Sequence, residues 1–370
     1  MPTESKPLFN HDLLMNPEDV RAARHVFPAI GDVLDWPDLR AAFAPHERAA
    51  IHAKRQSRGS GVLALAAALA ALWLAVLVPE ITRYFPGRLT PQVLTIAVAA
   101  LATAGLVLAS RVLIGARKER WLHHRTATER LRQLHFQFLA RRARQIAEGD
   151  GTVTAAILEE RERTLEMLRI DLRPGMTRPA DAIMEDLGGA DCWLVDEPAP
   201  DPALAARPAV LGELFHAYAR LRFQHQADYA TKKIAPGIGL WPWEPEGQAR
   251  RINATAYALT FMVVVCNVLA VAVLALALPG EVWLSVGTQT ISMLAATGAL
   301  ALRVLEDGIR PRAEVTRLRN YRGEVLELYR KFEATTDVAV KISLMERLEE
   351  LSYRELRDFL TLHHEASFVL

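Results

Sequence analysis

Residues Gly59–Pro79 read GSGVLALAAALAALWLAVLVP, which is 21 consecutive positions without a charged side chain. A helix of about 20 apolar residues is long enough to cross the hydrocarbon core of a bilayer. Three further uncharged runs share this property: Leu89–Ser110 with 22 residues, Ile252–Gly280 with 29 and Val282–Leu302 with 21. The alternative is four buried helices of a soluble domain, but such helices are usually shorter and carry a polar stripe. We therefore predict four transmembrane helices, called spans one to four.

Basic residues are concentrated on one side of the spans. They lie before span one, after span two, before span three and after span four: Arg48, Lys54, Arg55, Arg58, Arg111, Arg117, Lys118, Arg120, Lys232, Lys233, Arg250, Arg251, Arg303, Arg310 and Arg312. The loops within each pair of spans are short and hold few basic residues. Because loops rich in lysine and arginine remain in the cytoplasm, we expect both termini and residues 111–251 to be cytoplasmic.

The predicted fold class is an all-α integral membrane protein with four transmembrane helices, arranged as two hairpins with cytoplasmic helical stalks packed as a bundle. The predicted segments are N-terminal cytoplasmic helices (1–58), transmembrane hairpin 1 (59–110), cytoplasmic stalk helices (111–170), a Pro-rich linker (171–209), a cytoplasmic helix and interface turn (210–251), transmembrane hairpin 2 (252–302) and C-terminal cytoplasmic helices (303–370). The repeated order of helix, span pair and helix suggests an ancestral duplication.

Local signals place several helix boundaries. Asn16-Pro17 and Asp35-Trp36-Pro37 are helix start signals, and Gly308 with Pro311 is expected to interrupt the helix after span four. Residues 111–147 read as one helix leaving span two, and Trp241 and Trp243 suit a turn at the membrane interface.

Six polar residues of spans three and four are candidate pore-lining or interhelical groups: Asn253, Thr260, Asn267, Ser285, Gln289 and Ser292. Polar groups are costly in lipid unless they find a partner. They can bond between helices, or they can line a water-filled path formed by several subunits, for which Asn267, Gln289 and Ser292 are the candidates. No Asp, Glu, Lys or Arg lies inside any span, which argues against a proton-coupled transporter or pump.

Motifs of catalysis and metal binding do not occur. The chain has no P-loop, GxGxxG, GxSxG or HExxH, so we expect neither an enzyme nor a cofactor. His123 and His124 are adjacent and point to different helix faces, and His135 is about three turns from His124, so no metal ligand pair is expected among them. Only two cysteines occur, Cys192 and Cys266. They are far apart and Cys266 lies in an apolar run, so we expect neither a disulfide framework nor a cysteine-rich zinc site.

Nucleic acid is not an expected partner. The net charge is +1, and the basic residues of 117–142 lie where orientation and contact with anionic lipid already require them.

The segment after span four carries apolar residues at 3-4-3-4 spacing. They are Leu318, Tyr321, Val325, Leu328 and Phe332. This spacing is typical of a coiled-coil-like seam, so the five residues are predicted to form an oligomer or packing seam.

A family resemblance rests on the helix that follows span two. It has the pattern W-x-x-x-R-x-x-x-E-x-L-R…F, carried by Trp121, Arg125, Glu129, Leu131, Arg132 and Phe138. This pattern, directly after a two-span hairpin, resembles the post-membrane helix of SLATT-type two-span domains. The helix Tyr218–Lys233, before span three, resembles the helix that precedes the hairpin in the same group. The chain departs from the group's usual pattern because it has two hairpins.

The resemblance implies a bacterial effector of conflict and antiphage defence that forms homo-oligomers and permeabilises the inner (plasma) membrane. The implied partners are the lipid bilayer, further copies of the chain, and a defence-system sensor protein or a nucleotide second messenger made elsewhere. The alternative is a non-conducting membrane scaffold that assembles partner proteins through its cytoplasmic helices.

Overall fold

The computed structural model describes residues 11–85, 87, 90–113, 117–148, 151–173, 179–198, 206–237, 244–276 and 281–366. Every regular element within these ranges is a helix. The elements are α1 (Pro17–Val26), α2 (Gly31–Leu34), α3 (Pro37–Tyr84), α4 (Thr90–Leu113), α5 (Arg117–Arg141), α6 (Ala143–Glu148), α7 (Gly151–Asp171), α8 (Pro179–Glu185), α9 (Pro208–Tyr218), a π-helical segment (Ala219–Gln224), α10 (His225–Ile234), α11 (Pro245–Ala275), α12 (Glu281–Ile309), α13 (Pro311–Ala334) and α14 (Val338–Glu365).

Four described helical stretches are long and apolar enough to cross a membrane. They are Gly31–Tyr84, Thr90–Ser110, Pro245–Ala275 and Leu284–Ala334. In their most apolar parts only 17%, 6%, 11% and 22% of the residues are buried. Helices of a soluble core would bury these apolar side chains, so the low burial argues against that alternative. The chain is therefore a multi-pass membrane protein with four candidate spans.

Proline sets the start of six of the described helices. Pro17, Pro37, Pro179, Pro208, Pro245 and Pro311 are their first residues. Proline is favoured there because its fixed φ suits a helix and its missing N–H would be unpaired in any case. The start signals at Pro17 and Pro37 are confirmed.

The predicted interruption after span four is also confirmed. Helix α12 ends at Ile309 and α13 begins at Pro311. Between them Arg310 has φ 46°, a left-handed conformation that costs energy in a residue with a Cβ. Its guanidinium donates to the Glu365 carboxylate at 2.5 Å.

The chain divides into two compact units. The first unit comprises Met1–Ile51, Arg120–Ile234 and Val315–Leu362, and the second comprises His52–Glu119, Ala235–Glu314 and His363–Leu370. The core of the first unit is a large apolar cluster drawn from all three of its segments. Its largest fully buried side chains are Trp36, Arg222, Tyr218, Phe27, Phe43, Phe136, Phe138, Phe223 and Phe332.

Close helix contact marks the second unit. A Cβ built on Gly105 of α4 would lie 3.3 Å from the Ala68 backbone nitrogen and 3.4 Å from the Ala64 carbonyl oxygen of α3. A Cβ here would push the two helices apart by a few tenths of an ångström, so glycine favours this close approach, as in other small-residue contacts between membrane helices. Trp73 Nε1 of α3 donates to Thr297 Oγ1 of α12 at 3.1 Å.

Three segments differ from the sequence predictions. The helix expected over 111–147 is broken after Arg141, and α6 begins at Ala143. Helix α3 runs without interruption across the predicted boundary between residues 1–58 and span one. Trp241 and Trp243 of the predicted interface turn lie outside the described residues.

The predicted Pro-rich linker, 171–209, is not a loose connection in its described parts. It contains α8, and Ile183, Cys192 and Val195 are buried. Gln137 of α5 explains the docking, since its Nε2 donates to the Cys192 carbonyl and its Oε1 accepts from the Leu194 N–H, each at 2.8 Å. The linker's backbone is thus held by a buried side chain that a local sequence pattern could not reveal.

Candidate functional site

Two of the six polar span residues bond directly to each other. Asn267 Nδ2 of α11 donates to Ser292 Oγ of α12 at 3.0 Å, and also to the Val263 carbonyl of its own helix at 2.8 Å. Asn253 Oδ1 accepts from Arg303 Nη1 at 3.2 Å, at the other end of the same helix pair. These contacts place the amides where interhelical bonding satisfies them.

Gln289 lacks such a partner. Thr260 donates to the carbonyl of Ala256 within its own helix at 2.8 Å, and Ser285 is buried. Gln289 is exposed, and its amide makes no hydrogen bond to another described residue. It lies about 10 Å along the axis from the start of span four, which is inside a hydrocarbon core about 30 Å thick. This amide therefore requires water or a group from another molecule.

The family-like residues of α5 lie in the interior of the first unit. Trp121, Leu131 and Phe138 are each no more than 3% exposed. The Trp121 ring meets the Phe359 ring of α14 edge to face, with centroids 5.5 Å apart. These three residues are core residues, so their spacing reflects packing of α5 on its neighbours.

The charged members of the same motif form a buried ionic network. Arg125 pairs with Glu129 at 2.6 Å, Glu129 pairs with Arg132 at 2.7 Å, and Arg132 pairs with Asp12 at 2.6 Å. Burial opposes ionisation of Glu129, but the two arginines outweigh it and lower its pKa to about 2. Arg132 likewise holds the pKa of the buried Asp12 well below its usual range despite desolvation.

His11 extends this network. Burial lowers its pKa, but hydrogen bonds to the carboxylates of Asp12 and Glu47 outweigh that effect and raise the pKa to about 9. The network therefore joins α5 to residues near the N-terminus, a pairing that spacing within α5 could not predict.

The predicted seam is filled within the chain. Leu318, Tyr321, Val325 and Phe332 are no more than 6% exposed, and Leu328 is half-buried against the same core. Phe332 contacts Phe215 and Phe223, with centroid distances of 5.8 and 5.2 Å. Within this chain the five residues therefore pack in the core of the first unit, and their role as an oligomer seam stays a prediction.

A buried ion pair joins Arg222 of the π-helical segment to Glu349 of α14, and the sequence does not predict it. Arg222 Nε and Nη2 donate to the two carboxylate oxygens of Glu349 at 2.8 and 2.7 Å. Tyr218 donates its hydroxyl to the same carboxylate at 2.6 Å. The guanidinium also lies 4.6 Å from the centre of the Phe136 ring. Arg222 and Glu349 are 127 positions apart, so no local pattern joins them.

The first unit also contains a cleft of about 700 Å³. Its lining includes Lys331, Glu327, Arg354 and Glu324. Lys331 pairs with Glu327 and Arg354 pairs with Glu324. Arg347, Arg357 and Glu350 also line the cleft. Four cationic side chains thus face three carboxylates, so the cleft is not a concentrated cationic surface for a phosphate-bearing ligand.

The structure revises the geometry of the histidines. The sequence predicts no pair of metal ligands from His123 and His124, because adjacent residues of a helix lie on different faces. His46 of α3 lies against both, and its Nδ1 is 3.0 Å from Nδ1 of His124. The three side chains are half-buried, and one potential ligand atom from each lies within 4.8 Å of the others.

Comparison with known proteins gives one partial match. No curated protein and no solved structure matches the chain. The matched segment, residues 46–144, contains spans one and two and the Trp121–Phe138 motif helix. Over these residues the chain is similar to a family described as a protein of unknown function, DUF4231.

Proposed function

We propose that the chain is a bacterial inner-membrane protein that assembles into homo-oligomers and permeabilises the membrane in a defence setting, as its resemblance to SLATT effectors implies. Spans one and two form one hairpin and spans three and four the other, with stalk helices, both termini and the first unit in the cytoplasm. The basic flanks of the spans support this orientation.

Gln289 is the observation that carries the proposal. An amide moved into an apolar medium without a hydrogen bond costs about 2–7 kcal/mol. Copies of the chain that meet along this face of α12 relieve that cost, either by pairing their amides or by enclosing water. Ser285 and Ser292 lie four residues before and three after Gln289 on the same side of α12. Both serines are buried and Ser292 accepts from Asn267, so Gln289 is the polar group that this side presents to another copy.

The second candidate function is a non-conducting scaffold. Asn267 and Ser292 satisfy each other within one chain, so these two groups do not need water. In this alternative Gln289 pairs between copies in a dry contact, and the first unit binds partner proteins. The two functions differ in conductance, and both require contact between copies at Gln289.

A liposome experiment tests the proposal. The purified chain is reconstituted, and release of a trapped dye is measured for the wild type, Gln289→Leu and Met293→Leu. Met293 is a matched control because it is exposed one turn further along α12. We expect release from wild type and Met293→Leu liposomes and at least a fivefold slower release from Gln289→Leu, since an interhelical bond in a membrane contributes about 1–2 kcal/mol.

Contact between copies is tested separately. Gln289→Cys, introduced with Cys192→Ser and Cys266→Ala, should form a disulfide-linked dimer on mild oxidation in membranes, whereas Val268→Cys on α11 should not. Dimer without dye release would support the scaffold. Absence of both would refute the role of Gln289.

A further inference from the structure

Three imidazole rings from two separate helices converge in the first unit. His46 belongs to α3, and His123 and His124 belong to α5. Ring centroids are 5.2 Å apart for His46 and His124, 5.3 Å for His123 and His124, and 6.2 Å for His46 and His123. The three rings thus surround one point, which two adjacent residues of one helix could not do alone.

Their nitrogen spacing matches metal coordination. Zinc binds imidazole nitrogen at about 2.0–2.1 Å, which at a tetrahedral angle separates two nitrogens by about 3.4 Å. His46 Nδ1 and His124 Nδ1 are 3.0 Å apart, and the three potential ligand atoms lie within 4.8 Å of one another. The wider spacings must close to about 3.4 Å for one ion to contact all three rings.

The competing explanation is a hydrogen bond between neutral rings. One N–H shared between His46 and His124 accounts for their 3.0 Å contact. That hydrogen bond does not account for Nε2 of His123. This nitrogen is buried and forms no hydrogen bond within the described chain. A buried nitrogen without a partner costs energy, and a bound cation supplies the partner that the hydrogen bond between the other two rings does not.

The three side chains are half-buried in the fold, and metal binding takes imidazole in its neutral form.

We propose that His46, His123 and His124 form a binding site for a divalent transition-metal ion of the zinc type, with a fourth position open to water or to another ligand. Imidazole ligands select zinc, cobalt, nickel and copper over magnesium and calcium. The ion joins α3 to α5 and so clamps two helices of the first unit. This site is independent of the proposed membrane permeabilisation and does not rest on it.

Metal binding to the purified full chain tests the site. After chelator treatment and its removal, Zn²⁺ is titrated in equilibrium dialysis, and Co²⁺ is used to record the visible spectrum of tetrahedral coordination. We expect one ion per chain, and a thermal midpoint raised by about 5–10 °C at a zinc concentration about 100 times the dissociation constant. Removing one ligand should weaken binding by tenfold or more.

The variants are His46→Asn and His124→Asn, with His52→Asn as the matched control. His52 lies on α3, is exposed and is outside the cluster. Both cluster variants should lose the Co²⁺ spectrum and the zinc-dependent rise in midpoint, while the control keeps them. A variant that fails to fold in chelator is replaced by His123→Asn.

Equal zinc affinity in all variants, or no binding by the wild type, would overturn the metal site and leave a hydrogen-bonded histidine cluster. Neither result bears on dye release from liposomes, so failure here is distinguishable from failure of the proposed function.

Discussion

The buried pair of Arg222 and Glu349 gives the sharpest prediction for stability. The perturbation is Glu349→Leu, which removes a carboxylate that is 0% exposed and accepts two bonds from Arg222 and one from Tyr218. The change leaves the guanidinium buried without its counter-charge. Tyr218 retains one acceptor, the Met345 carbonyl at 3.1 Å.

The size of the loss follows from this geometry. Breaking one side of a buried ion pair costs about 3–5 kcal/mol because an uncompensated charge stays in the interior. A domain of this size loses about 2–4 °C of midpoint per kcal/mol. We therefore expect the unfolding midpoint of Glu349→Leu to fall by about 6–20 °C.

Replacing both partners should restore most of the stability. The double variant Arg222→Met with Glu349→Leu removes both charges, and apolar replacements of buried pairs are often neutral or stabilising. The control is Glu327→Leu, whose pair with Lys331 is exposed on both sides. An exposed pair within one helix contributes about 0.3–0.5 kcal/mol, so the control should unfold close to wild type.

Thermal unfolding of the detergent-solubilised chain, followed by circular dichroism, measures five proteins: wild type, Glu349→Leu, Arg222→Met, the double variant and Glu327→Leu. The reasoning is refuted if Glu349→Leu lowers the free energy of unfolding by less than about 1 kcal/mol. It is also refuted if the loss of stability in the double variant equals the sum of the losses in the two single variants.

Further predictions concern the spans and the ionic network. Gly105→Leu should destabilise the second unit by about 1–3 kcal/mol, because the new Cβ would meet the backbone of α3. Gly287→Leu is the control in the same unfolding assay and should be tolerated, because a Cβ at Gly287 would lie in open space. The stability of the first unit should fall as pH rises from about 6.5 to about 9, because the pKa of His11 is raised to about 9 in the folded chain and the stabilisation by protonated His11 is lost above that value. His11→Asn should flatten this slope when unfolding midpoints are measured against pH. Asn267→Leu should lower the free energy of unfolding by about 1 kcal/mol and leave dye release unchanged, since Ser292 already satisfies the Asn267 amide. Strongly reduced release would show that Asn267 lines the path.

The sequence predicted the spans because their signal is local. A run of about 20 uncharged residues is readable without knowing any neighbour, and the same holds for helix starts at Pro17 and Pro311. The seam of α13 was also readable as apolar spacing. The sequence does not show what packs against this seam, because the same apolar stripe can face a second copy or the chain's own helices.

The candidate sites depended on contacts between distant segments. His46 and His124 are 78 positions apart, and Arg222 and Glu349 are 127 apart. Helix periodicity relates only residues a few positions apart. It places His123 and His124 on different faces and could not supply His46, against which a ligand atom of each lies within 4.8 Å. The sequence shows that Gln289 is a polar residue of span four. Whether its amide has a partner depends on the fold, in which Asn267 bonds to Ser292 and not to Gln289.

By itself the sequence determined that this chain is helical and crosses a membrane, because hydrophobicity and length act along one segment at a time. The tertiary structure alone decided which polar and charged groups are satisfied. That depends on which helices meet, and a buried charge, amide or imidazole is stable only when the folded chain or a bound species supplies its partner.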